Sequence, residues 1–193
     1  MKNSIKLISL SVFLLLAGCV TPNATSISKN AADLSLSRPG LKSGLDRSVM
    51  QFEKDFKQKN FTGVLSVMPK QFLDHMAKKG NVSVADLKGA LIELMERMED
   101  TVKIVSFDMD SSKAKIRSTS KGRVYSLVPT TTTMDIEGHG RIEVTNHTVG
   151  IYDANKWHLV RIADQKTRDV MIQIFPSLSE INIPGPTKKV LSK

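Results

Sequence analysis

The sequence has little of several things, and each shortage excludes something. Its 193 residues hold one cysteine, so the chain has no internal disulfide to staple it. With that lone cysteine and four histidines, His75, His139, His147 and His158, there is no His-x-His or His-x₃-His spacing and no zinc ligand set. There is no Gly-x-Ser-x-Gly to hold a serine nucleophile on a tight turn. The stretch Gly138-His139-Gly140-Arg141 lacks the lysine and the following helix of a phosphate loop. No apolar run reaches the roughly 20 residues of a membrane-spanning helix. Acids are scarce: 19 Asp and Glu against 28 Lys and Arg give a net charge of +9. No nucleic-acid-binding module or aromatic-interleaved basic patch accompanies that charge. The basic residues are spread out, with Lys54, Lys57 and Lys59 in one stretch and Lys188, Lys189 and Lys193 at the end. Their plain reading is a solvated basic surface; as a partner, anionic lipid headgroups or cell-wall polymer suit it better than nucleic acid.

What is there begins at the first residue. Lys2 and Lys6 precede an apolar stretch, Leu7 to Ala17, broken by Ser9 and Ser11. A basic head, a short apolar segment and small residues at its end describe a secretory signal, residues 1–18. Leu16-Ala17-Gly18-Cys19 resembles the lipobox of bacterial lipoproteins. That resemblance implies that Leu16, Ala17 and Gly18 are read by the signal peptidase and that Cys19 receives a diacylglyceryl group. Cleavage before Cys19 then makes it an N-acylated first residue, with no other cofactor expected. Two or three acyl chains anchor stably where one would not, at about 0.8 kcal/mol per buried CH₂. Val20, in place of an aspartate, implies sorting to the outer membrane, facing the periplasm, in a Gram-negative cell.

Residues 19–43 follow as the lipidated cysteine and a tether rich in Ser, Thr, Asn and Ala, with Pro39 and Gly40. A coil of that length spans about 25–30 Å. A single domain is expected over 44–184 and a basic tail over 185–193. Leu45, Val49, Phe52 and Phe56 recur at helical spacing and predict a helix from near Leu45 to near Asn60. Phe61 to Met68 continues apolar, and Pro69 opens a second helix that Lys79-Gly80 stops. Ser83 with Asp86 resembles a capping box for a third helix. Its stripe of Val84, Leu87, Leu91, Leu94, Met95 and Met98 is expected to pack on a sheet.

After Asp100 the period changes from 3.6 to 2. Val105, Phe107 and Met109 alternate in one strand and Ala114 and Ile116 in the next, with Asp110-Ser111-Ser112 read as a hairpin. Residues 122–136 form a long β-prone run, in which Pro129 predicts a sheet edge or a bulge. Strands follow at 141–153 and 156–164. The apolar phase slips between Ile142/Val144 and Val149/Ile151, predicting a bulge near Thr145 to His147. A short helix over 165–174 and an extended tail complete the chain.

Helices followed by a meander define an α+β fold, with N-terminal helices on a curved, mainly antiparallel sheet. With Tyr125-Ser126-Leu127-Val128-Pro129 in a long strand, Trp157 after a turn and Phe175-Pro176 near the end, this order resembles the NTF2-like (cystatin-like) cone. That superfamily includes both enzymes and binding domains, so the resemblance alone assigns no activity.

The candidate ligand-lining residues of such a cone are Asp108, Thr131, Thr133 and His158. A carboxylate desolvated inside it, Asp108 or Asp135, would abstract a proton. Two hydroxyls from the run Thr130 to Thr133 would bind a ligand at its mouth. With no catalytic constellation, the sequence points to a membrane-anchored envelope lipoprotein acting as a binding or scaffolding module. Its expected partners are the membrane, an envelope protein or a cell-wall component. The alternative is an envelope enzyme or a carrier of a small apolar ligand.

Overall fold

The computed structural model describes residues 32–192. The signal segment, Cys19 and the first half of the tether, residues 20–31, lie outside the described residues. The elements run α1 (Pro39–Lys57), α2 (Phe61–Ser66), α3 (Lys70–Gly80), α4 (Val84–Met98), β1 (Val102–Met109), β2 (Ile116–Ser118), β3 (Val124–Ile136), β4 (Gly140–Asp153), β5 (Lys156–Arg161), α5 (Gln165–Ile174) and β6 (Thr187–Ser192). Short 3₁₀ turns follow β1 and α5. The fold is α+β, its sheet curled into an antiparallel half-barrel. No helix among the described residues is long and apolar enough to cross a membrane.

Helix α1 starts at Pro39, ahead of the Leu45 expected from spacing. Proline suits a first helical position because its fixed φ is already helical and its missing N–H would have no partner there. Leu41, Leu45 and Val49 then bury one stripe of α1. The turn before it is tied down as well. Leu34 N–H donates to the Ile116 carbonyl at 2.7 Å, and Ile116 N–H donates to Asp33 Oδ1 at 3.2 Å. Residues 34–43, assigned to the tether from composition, are therefore docked on the domain.

Strands β3 and β4 are long, 13 and 14 residues, and pair without a register shift from Tyr125↔Ile151 to Ile136↔Gly140. Their length lets different strands flank their two halves. In the base half, β2 lies beside β3 and β5 beside β4. In the tip half, β1 lies beside β3 and β6 beside β4. The expected hairpin between β1 and β2 does not form, since both pair with β3. Asp110 instead caps the 3₁₀ turn between them, accepting from Lys113 N–H.

Pro129 sits inside β3, at neither an edge nor a bulge. Its carbonyl accepts from Asp110 N–H at 2.9 Å, where β1 has ended and β2 has not begun. The N–H that proline lacks would face that gap, so no ladder bond is lost. The bulge expected in β4 is also absent, because β4 changes which of its faces are covered rather than its register. Its inner residues Ile142, Val144, Thr148 and Gly150 are buried throughout, whereas its outer residues become buried only from Val149. The bulges that exist fall elsewhere. β1 shifts register between Ile104 and Ser106, which leaves Val105 exposed. The β4–β6 ladder shifts between Arg141 and Ile142.

Two layers cover the base half. On the inner face, Leu41, Leu45 and Val49 of α1 meet Val124, Val128, Trp157 and Leu159. On the outer face, Val170, Met171 and Phe175 with Phe72 of α3 meet Tyr125, Val149, Ile151 and Val160. Fully burying one such Leu or Val stabilises the fold by about 1.5–3 kcal/mol. Helix α4 packs Leu91 and Met95 against Phe61, Leu65 and Leu73 of α2 and α3. Its methionine stripe thus faces other helices, not the sheet expected from the sequence.

The tip half is covered less. Phe52 and Phe56 of α1 reach Phe107 of β1, the latter with ring centroids 4.3 Å apart. Glu53 Oε1 accepts the Met109 N–H at 2.7 Å and closes that part of the β1 edge. The outer face of the tip half carries Thr131, Thr133, Asp135, Glu143 and Thr145, all half-buried and none under a helix core.

Candidate functional site

Register fixes where each expected site residue lies. Asp108 pairs with Thr131 across β1 and β3, and Ser106 pairs with Thr133. All four side chains therefore stand on the outer face, opposite Phe107 and Met109. Asp108 is exposed, and Thr131 Oγ1 meets Thr145 Oγ1 at 3.5 Å. Asp135 lies on the same outer face in a bidentate pair with Arg141, at 2.7 and 2.9 Å. The Arg141 hydrogen bonds hold its carboxyl below the usual range, the opposite of a desolvated base. His158 pairs with Ile151 and faces the outer core, away from the carboxylates and threonines. Burial, with Lys156 nearby, pushes its imidazole below its ordinary value, and its Nδ1 has no partner. The structure brings Asp108 and Thr131 together on a solvated surface and leaves His158 apart from them. Leu16, Ala17, Gly18 and Cys19 lie outside the described residues.

The other pair of hydroxyls faces inward. Thr130 and Thr132 are 0% and 1% exposed, with Asn146 and Thr148 beside them on β4. Thr130 Oγ1 donates to the Val128 carbonyl at 3.1 Å, so its 2.9 Å contact with Thr148 Oγ1 has Thr148 as donor. Arg161, the last residue of β5, pairs with Thr148 and projects onto this inner face. Its Nη2 donates to Thr132 Oγ1 at 3.2 Å. The Asn146 amide satisfies both neighbours when Oδ1 accepts from Arg161 Nε at 2.7 Å and its nitrogen donates to the Thr130 carbonyl at 3.3 Å.

Every acceptor of Arg161 among the described residues is thus neutral, and Nη1 has none. Desolvation pushes the guanidinium down to about 10, so it stays charged at neutral pH. Arg161 is half-buried, and a cation withdrawn from water is ordinarily paired with an acid, because the desolvation cost is otherwise uncompensated. Arg161 belongs to no motif that would mark it in the sequence. The signal was its step of two from Trp157 and Leu159, both inner-face residues of β5.

An open cleft of about 520 Å³ lies at the base between Lys121, Arg123, Tyr152, Asp153 and Ser177. Arg123 there stacks over Phe175, 4.8 Å from the ring centroid. No group of three or more His, Cys, Asp or Glu among the described residues is placed to hold a metal ion. Comparison with protein-family models, curated proteins and solved structures gives no match.

Proposed function

We propose that this chain is a lipid-anchored envelope protein whose folded domain is a non-catalytic binding module, with its tip half as the working surface. The observation that supports this is the unequal covering of one continuous sheet. The base half is packed on both faces, as a scaffold requires. The tip half keeps a bare outer face, and its flanking strands expose Ile104 and Val105 on β1 and Val190 and Leu191 on β6. Exposed apolar side chains beside free strand edges are features of surfaces that take partners. The four residues Leu16-Ala17-Gly18-Cys19 supply the anchor in this reading.

Two measurements test the proposal. Cys19→Ala should leave an unprocessed precursor and lose membrane association on fractionation; unchanged processing and association would refute the anchor. Affinity capture of the wild type from envelope extracts should recover a specific partner that Val105→Asp with Val190→Asp loses. Equal recovery with both forms would refute the tip as the working surface.

A further inference from the structure

One side of β4 is shared by two strands that do not meet. β5 pairs with it from Asp153 back to Thr148, where Arg161 is the partner. β6 takes the same side only from Thr145, opposite Thr187. Asn146 and His147 lie between, and the one backbone bond there is long, from Ile162 N–H to the His147 carbonyl at 3.5 Å. The half-barrel wall therefore has a seam at Asn146. On its outer side His147 Nδ1 is buried without a partner.

The seam is electropositive on its inner side. Lys188 pairs with Val144 and so shares the face of Arg161; it is exposed. The two cations flank the seam roughly 13 Å apart, four residues along β4. Neither forms an ion pair among the described residues. The inner positions of β3, from Val124 to Met134, and of β4, from Ile142 to Tyr152, carry only apolar residues, Ser, Thr, Asn and Gly. The nearest helix, α1, has its acids engaged: Asp46 by Lys42, Glu53 by Met109 N–H, and Asp55 by Gln51 and Asn60. With Nε on Asn146 and Nη2 on Thr132, the guanidinium keeps Nη1 free, a charged N–H donor that an oxyanion accepts.

We propose that the seam between β5 and β6 binds an oxyanion, a carboxylate or a phosphate, on Arg161, with Lys188 at its rim. Ile142, Val144 and Val190 adjoin on the same face. The oxyanion therefore has two sources, the head of an acidic amphiphile or a free phosphate. The inference deepens the binding-module reading but does not depend on the anchor. Failure of Cys19→Ala to release the protein would leave it standing, and absence of oxyanion binding would leave the anchor standing.

The test uses the full chain in a neutral detergent, titrated with inorganic phosphate or with octanoate against sodium chloride of equal ionic strength. A saturable rise in melting temperature of about 5 °C is expected with one of the two. A shift in the Arg161 Nε–H resonance should accompany it, that signal being assigned by its loss in Arg161→Lys. A response to octanoate alone identifies an acidic amphiphile, and a response to phosphate identifies a phosphate group. Arg161→Gln and Lys188→Gln should each weaken the response, the first abolishing it. If neither anion moves the Arg161 resonance in the wild type, or if Arg161→Gln folds and responds as before, the site does not exist. The resonance reading holds even where Arg161→Gln fails to fold.

Discussion

The indole Nε1–H of Trp157 donates to the carbonyl of Leu41 at 2.9 Å, joining the second residue of β5 to the first turn of α1. The same ring lies against two glycines. A Cβ on Gly44 would come within 3.3 Å of Trp157 Cδ1, and one on Gly150 within 3.2 Å of Trp157 Cε3. The only tryptophan in the chain is thus a key between α1 and the inner face. Gly150→Ala should cost about 1–3 kcal/mol by overpacking. Urea unfolding followed by Trp157 fluorescence measures it, and an unchanged midpoint would mean that the ring has room to move.

Asp55 and Gly63 set a second close approach. The Asp55 side chain is buried and accepts from Gln51 at 3.0 Å and from Asn60 at 2.8 Å. A Cβ on Gly63 would lie 2.5 Å from Asp55 Cγ, closer than real contacts allow. Gly63→Ala should lower stability by about 2–3 kcal/mol as the α1–α2 corner shifts. Asp55→Asn combined with it should not restore the loss, because the clash is steric. Restoration in the double variant, read by calorimetry, would show that charge rather than volume was at fault.

The β4–β5 turn carries removable strain. Ala154 has φ +47° and Asn155 φ +62°, the left-handed pair of a two-residue hairpin. Asn tolerates that region, while the Ala Cβ crowds the following carbonyl oxygen there. Ala154→Gly should raise stability by about 0.5–1 kcal/mol, a gain checked by thermal unfolding with the function-linked residues untouched.

Acid should weaken the fold in two separate windows. His147 and His158 are both held below the ordinary 6.5, chiefly by burial. The unfolded chain binds their protons first, so stability is present above about 6.5 and declines as pH falls below it. Asp33, Asp110, Asp135 and Glu180 are held below their ordinary values by hydrogen bonds. Their contribution is lost only at lower pH, with Asp110 protonating at about 2. Unfolding midpoints between pH 7.5 and 5.5 should therefore fall in the wild type and flatten in His147→Gln/His158→Gln. An equal slope in both would assign the loss to other groups.

Much of the fold was legible because spacing and caps agree. Ser83 accepts from Asp86 N–H at 3.0 Å as its sequence position implies, and α5 runs from Gln165 to Ile174, the bounds expected. What stayed hidden had non-local causes. Pro39-Gly40 has linker composition, but docking of Leu41 makes it a helix start. The phase slip in β4 encodes a second covered face, which a single strand cannot distinguish from a bulge. The threonine run shows two hydroxyls per face, and only the pairing of Thr132 with Val144 and Phe107 identifies the inner pair as Thr130 and Thr132. Arg161 ends a strand whose apolar steps hide its inward direction.

The bridge from Leu34 and Asp33 to Ile116 has a mechanical consequence. Ile116 lies opposite Ser126, ten positions along β3 from the tip residue Ile136. Strand rise makes that roughly 33 Å. A load applied through the preceding chain would enter at the base of this lever, away from the tip. Tension on the preceding chain would therefore load the Leu34–Ile116 bridge first and the opening turn of α1 next.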